Sequence, residues 1–140
     1  MSLDVRLTRK RWVSYNAGLS FEEDEDETLY SANITHNLGE MAEKANIYSA
    51  LWRPYRILPD FKSFDNYDDE YSFESSKTIY AKQIIELLEK GLKDLKKRPK
   101  YFEKFNAENG WGMYEHFVPF VEKYLDACKQ YPDSVVNVSR

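Results

Sequence analysis

Asn33, Thr35, His36 and Asn37 fall within one short stretch of the chain and between them supply amide, hydroxyl and imidazole groups. An indole and a guanidinium follow at Trp52 and Arg53. A second indole stands at Trp111 in Asn109-Gly110-Trp111-Gly112, with Tyr114 just after it. If these segments meet, Thr35 and Asn37 offer hydrogen bonds, Arg53 a positive charge and Trp52 or Trp111 a flat face for stacking. With helix amides pointing into the same cleft, that set suits a small anionic ligand of nucleotide type. The plainer account, which the residue types favour, is that Asn and Thr cap a helix while His36 satisfies the end of a sheet.

Catalysis would fall to His36 or His116 as acid or base, with Glu40 or Glu115 beside them. They are the two histidines of the chain and lie far apart in it. No Gly-x-Ser-x-Gly, phosphate loop or His-Glu-x-x-His is present, and Thr35-His36-Asn37 has the wrong order for a paired His-x-Thr motif. We therefore assign no catalytic residue and lean away from an enzyme. His36, His116 and Cys128 lack the spacing of a metal site, so neither metal nor cofactor is expected. Cys128 is the single cysteine, which excludes an intrachain disulfide. It follows Tyr124 and Leu125 at helical spacing and reads as a buried core residue.

The elements that must carry these groups can be read from apolar spacing. Leu3, Val5 and Leu7 alternate with polar residues, as in a half-buried strand. Arg9, Lys10 and Arg11 precede Trp12, Val13 and Tyr15, which continue or pair with that strand, and Asn16, Ala17 and Gly18 suit a turn. Leu29 to Ile34 reads as another strand. From Ile34 the period changes, with Leu38, Met41, Ala42 and Ala45 at helical intervals. Thr35 or Asn37 can cap this helix, Asn37 with Glu40 in a reciprocal arrangement. Asn46 suits a left-handed C-terminal residue, with Ile47 folding back. A second short helix through Leu51 and Trp52 must stop at Arg53, which precedes Pro54.

The longest predicted helix is capped by Ser75 or Ser76 and carries Tyr80, Ile84, Leu87, Leu88, Gly91, Leu92 and Leu95 as its apolar stripe. Its C-terminal lysines complement the helix dipole, so they require no nucleic-acid partner. The last helix has Tyr114, Phe117, Val118, Val121, Tyr124, Leu125 and Cys128 on one side, with Pro119 as a kink or a true start. Val135, Val136 and Val138 close the chain as a strand. The fold class is α+β: a small antiparallel sheet including N- and C-terminal strands, with two long helices and a short helix on one face. With 140 residues, a single domain over 1–140 is expected.

Charge is unevenly placed. Glu22 to Glu27 is six acids without a base. Tyr55 to Ser76 holds six more against Arg56 and Lys62. Taking these from the totals of 24 acids and 20 bases leaves 12 acids and 18 bases, a mildly basic body within a net charge of -4. Residues 22–28 read as a solvated acidic loop. Residues 55–76 show no sustained period but carry Phe61, Phe64, Tyr67, Tyr71 and Phe73. They read as an aromatic and acidic insertion that lies on the body through its rings and offers a docking surface to a protein partner or a second copy. No run of residues is long and apolar enough to span a bilayer, and no signal-peptide pattern opens the chain, so a cytoplasmic location without membrane contact is expected.

The stretches Asn33-Ile34-Thr35-His36-Asn37-Leu38, Met41-Ala42, Ala50-Leu51-Trp52-Arg53-Pro54 and Asn109-Gly110-Trp111-Gly112 with Tyr114-Glu115 form a recognisable set. With Tyr131-Pro132 and Val138-Ser139-Arg140, they resemble a group of small uncharacterised proteins of bacteria, phages and prophages. The resemblance covers about half the chain and omits the region up to Ser31 and the insertion. It brings no reaction, cofactor or catalytic residue. Its phage association implies a role in host takeover or counter-defence. The expected function is thus non-enzymatic binding, first as a protein-interaction module, alternatively as a binder or sequesterer of a nucleotide-like anion.

Overall fold

The computed structural model describes residues 2–16 and 20–140, with side chains described for 2–10 and 26–140. Strand β1 (Ser2–Asn16) and strand β2 (Ser20–Thr35) form a long antiparallel hairpin, and β3 (Val135–Ser139) pairs antiparallel on the other side of β1. The sheet order is β2-β1-β3. Leu3, Val5 and Leu7 are fully buried, whereas Asp4 and Arg6 are exposed, so the core lies on one face of the sheet. This is the α+β arrangement expected, with the N- and C-terminal strands side by side.

The acidic stretch is not a loop: residues 22–28 run within β2. The register supplies the reason. Arg9 lies opposite Glu27, Lys10 opposite Asp26 and Arg11 opposite Glu25, so three of the six acids stand in register with the basic triplet of β1. Arg9 Nε and Glu27 Oε2 are 2.8 Å apart, and Lys10 Nζ and Asp26 Oδ1 3.1 Å. Cross-strand pairing of opposite charges removes the repulsion that argued for a solvated tip. A one-residue irregularity between Leu7 and Thr8 leaves Leu29 as the extra residue of β2. The turn expected at Asn16, Ala17 and Gly18 falls mostly on residues 17–19, outside the described residues, as do the side chains of Trp12, Val13 and Tyr15.

After β2 the chain makes a 3-10 turn (His36–Leu38) and enters α1 (Gly39–Lys44). Asn46 ends it at φ 60°, with its N–H donating to the Glu43 carbonyl at 3.0 Å and the Ile47 N–H to the Ala42 carbonyl at 2.9 Å. That bond pair satisfies two terminal carbonyls and turns the fully buried Ile47 back into the core. Helix α2 (Tyr48–Trp52) stops at Arg53 before Pro54. Helix α3 (Tyr67–Ser76) lies inside the stretch that showed no period, because none of its residues is buried and no stripe is needed. Ser75 and Ser76 therefore end α3 and do not cap the next long helix, α4 (Ile85–Lys97), which starts after a 3-10 turn at Ala81–Gln83.

Gly91 of α4 permits close approach to the α1–α2 corner: a Cβ there would collide with Ile47 Cγ2 and stand 3.2 Å from the Ala45 carbonyl oxygen. After the short α5 (Pro99–Glu103) comes α6 (Tyr114–Gln130), the longest helix, with Pro119 inside it. Helix α6 packs on β2 and α4. Phe117, Val121, Tyr124 and Cys128 are fully buried in the shared core, each large side chain contributing about 1.5–3 kcal/mol through burial. Among the described residues, no helix is long and apolar enough to cross a membrane.

Candidate functional site

The handover from β2 to α1 is held from both sides. Thr35 caps the 3-10 turn, its Oγ1 accepting the Asn37 N–H at 3.3 Å. Asn37 is therefore not the cap: its Nδ2 donates to the Trp111 carbonyl at 2.7 Å, tying the turn to a loop far along the chain. That loop is built by Asn109 and two glycines. The Trp111 N–H donates to Asn109 Oδ1 at 3.0 Å, and Gly110 and Gly112 adopt φ of 79° and 123°. Gly112 lies so close to Asn37 that a Cβ on it would stand 2.8 Å from Asn37 Cβ.

Between turn and loop opens a hollow of about 880 Å³, whose lining includes Asn33, Thr35, His36, Asn37, Trp111 and His116. Asn33 donates to Asp4 Oδ1 at 2.6 Å, and Trp111 is 72% exposed. His36 Nε2 is buried without a hydrogen-bond partner, and its ring meets Trp52 edge-on at 6.2 Å. Asn109 and His116, outside the residues singled out as ligand-binding, also line the hollow. The Asn-Gly turn signals the first, whereas nothing local to the sequence brings His116 beside His36.

Arg53 lies elsewhere. It lines a second hollow of about 590 Å³ on the far side of His36, with Tyr67, Tyr71, Glu74 and Arg140. The cleft expected to combine Arg53 with Trp111 is thus two hollows that share His36 as a border. Trp52 is 2% exposed and stacked on Tyr48 at 5.2 Å, so its ring presents no face to a ligand. Tyr114 lines neither hollow: its hydroxyl donates to the Leu95 carbonyl at 2.7 Å and its N–H to Asn106 Oδ1 at 2.7 Å, joining α6 to α4 and to the loop.

A polar network joins the second hollow to residues 55–76. Arg53 Nη1 donates to the Tyr55 hydroxyl at 3.0 Å, and that hydroxyl to Glu70 Oε1 at 3.0 Å. Arg56 Nε also donates to Glu70, at 2.9 Å. Burial pulls the Glu70 carboxyl up, and the hydrogen bonds from Arg56 and Tyr55 more than reverse it, leaving it below the ordinary carboxylate range. Arg140 grips Glu74 with two bonds, of 2.8 and 2.7 Å, and donates to the Trp52 carbonyl at 2.9 Å.

The aromatic residues of this region divide. Phe61, Phe64 and Phe73 cluster around the buried Tyr55, with Phe61 and Phe73 centroids 5.7 Å apart. Tyr67 and Tyr71 point outward, 65% and 56% exposed, stacked on each other at 6.2 Å. Among the described residues, no group of three His, Cys, Asp or Glu side chains is placed to hold a metal ion. Burial alone pushes the Cys128 thiol up to about 12.

Comparison with protein-family models gave no match, and comparisons with curated proteins and with solved structures gave none either.

Proposed function

We propose that this protein is a non-enzymatic interaction module that captures a protein partner on the outer face of α3. The observation that carries the reading is the stacked, solvent-facing pair Tyr67 and Tyr71 on a helix with no buried residue. Phe73 packs α3 against Tyr55 and Phe61, and Glu70 and Glu74 hold it to Arg56 and Arg140, so the outer face is fixed in place. Exposed aromatic rings on a fixed backbone are the usual anchors of protein contacts. Asp65 and Asp68 stand exposed beside them, with Asp68 and Asp69 in the first turn. This favours a partner that presents basic residues, whose cations can sit over the tyrosine faces. The resemblance to phage and prophage proteins makes a host or defence protein the partner to seek.

Point substitutions test this better than removal of 55–76, which would take out the buried Tyr55 and strip Arg140 of Glu74. Tyr67→Ser with Tyr71→Ser should leave thermal stability unchanged and abolish salt-sensitive capture of a partner that the unaltered protein retains. Retention of the same partner by both proteins would overturn the assignment.

A further inference from the structure

We propose that the hollow between the His36–Leu38 turn and the Trp111 loop binds an uncharged planar heterocycle, a nucleobase or nucleoside, stacked on the Trp111 ring. The site is separate from the α3 face. Its first feature is the charge it lacks. In a chain with 24 acids and 20 Lys and Arg residues, no carboxylate, ammonium or guanidinium is among the described residues that line it. Arg53, the cation that would have argued for an anionic ligand, opens to the other hollow. A ligand with formal charge would gain no ion pair from a carboxylate, ammonium or guanidinium here.

The second feature is that the amides are already oriented. The Asn37 amide must turn its Nδ2 to the Trp111 carbonyl, Asn33 its Nδ2 to the Asp4 carboxylate, and Asn109 its Oδ1 to the Trp111 N–H. Each partner accepts or donates in one sense only, which fixes all three amides. Among the described residues, Oδ1 on Asn33 and Asn37 and Nδ2 on Asn109 are left without a partner. Two acceptors and a donor match the in-plane donors and acceptors of a base edge.

The third feature is the indole. Trp111 is 72% exposed, yet its backbone is clamped on both sides, by Asn109 at the N–H and Asn37 at the carbonyl. A large aromatic face on a fixed backbone binds a flat ring with little further ordering. A volume of about 880 Å³ falls in the range of small-molecule sites.

The test is a titration of the full chain, followed by the indole and side-chain amide resonances, with adenosine and uridine as probes. Adenosine monophosphate and a methyl glucoside serve as comparisons. The nucleosides should saturate the Trp111 and Asn33 signals, and the added phosphate should change affinity by less than about three-fold, insensitive to salt. Trp111→Ala should weaken binding roughly ten-fold or more without changing the melting temperature. Trp111→Phe should restore most of it. Binding that requires the phosphate, binding of the glucoside without the nucleosides, equal affinity in Trp111→Ala, or unmoved signals would each overturn the proposal.

Discussion

Replacing Gly112 by alanine puts the joint between turn and loop under a defined load. The residue sits at φ 123°, where a side chain costs about 1–3 kcal/mol. The new Cβ would also meet Asn37 Cβ at 2.8 Å and the Asn37 carbonyl carbon at 3.3 Å, inside the separation of about 3.5–4.0 Å that carbon atoms prefer. Neither neighbour is the free end of a flexible chain, so crowding adds about 1 kcal/mol or more. Keeping the loop in place would thus cost about 2–4 kcal/mol. Letting it go forfeits chiefly the Asn37 Nδ2 bond to the Trp111 carbonyl, about 0.5–1.5 kcal/mol. The cheaper route decides. Gly112→Ala should lose about 0.5–1.5 kcal/mol, a fall of about 2–6 °C in Tm, with the loop released. Amide spectra should then show displaced Asn37 and Trp111 signals and unchanged α4 and β3. Asn37→Ala added to Gly112→Ala should cost less than about 0.5 kcal/mol more, because the bond it removes is already gone. A neutral or stabilised Gly112→Ala, or strict additivity of the two changes, would refute the reasoning.

Two further expectations concern titration. The folded Glu70 carboxyl is held below its ordinary value of 4.5, so the stability it contributes is complete above that pH and is lost as pH falls through the lower folded value. Glu70→Gln should lower stability at neutral pH by about 1 kcal/mol after allowance for partial exposure, read as a fall in the urea midpoint, and should flatten the acid limb below about pH 4.5. An unaltered acid limb would argue against the Arg56 and Tyr55 bonds. Cys128 is fully buried, with its thiol raised to about 12, and should resist alkylation in native protein at mildly alkaline pH while reacting promptly in urea. Mass spectrometry of the pulse-labelled chain decides this, native labelling being the contrary result.

Where apolar spacing had a core to answer to, the fold was legible. Leu3, Val5 and Leu7, the α1 stripe, the Asn46 terminus and the stop before Pro54 all follow from burial or from backbone sterics. Helix α3 was hidden because none of its residues is fully buried and Phe73 alone among its rings packs inward, which leaves no stripe. Its remaining mark was Asn66, whose Oδ1 accepts the Asp69 N–H at 2.9 Å ahead of three acids in the first turn. The acidic strand was not legible because its partner lies across a hairpin: Asp26 and Glu27 repel one another locally and are offset by Lys10 and Arg9. For the candidate site, the residue types around Thr35 and the glycine-built loop at Trp111 could be found by motif. That Asn37 reaches Trp111, and that His36 stands as a wall between Arg53 and Trp111, depend on contacts between distant segments that no local pattern encodes.

The placement of β1 between β2 and β3 sets the order in which the chain can mature on the ribosome. Its hairpin partner emerges at once, but the strand that covers its other edge follows only after the helices have been made. At about 5–20 residues per second, that edge stands open for roughly ten seconds of translation. Leu3, Val5 and Leu7 also wait over that interval for the α6 side chains that complete their core. A nascent chain halted before α6 should therefore be a ready chaperone client, and a slow codon run there would prolong the hazard.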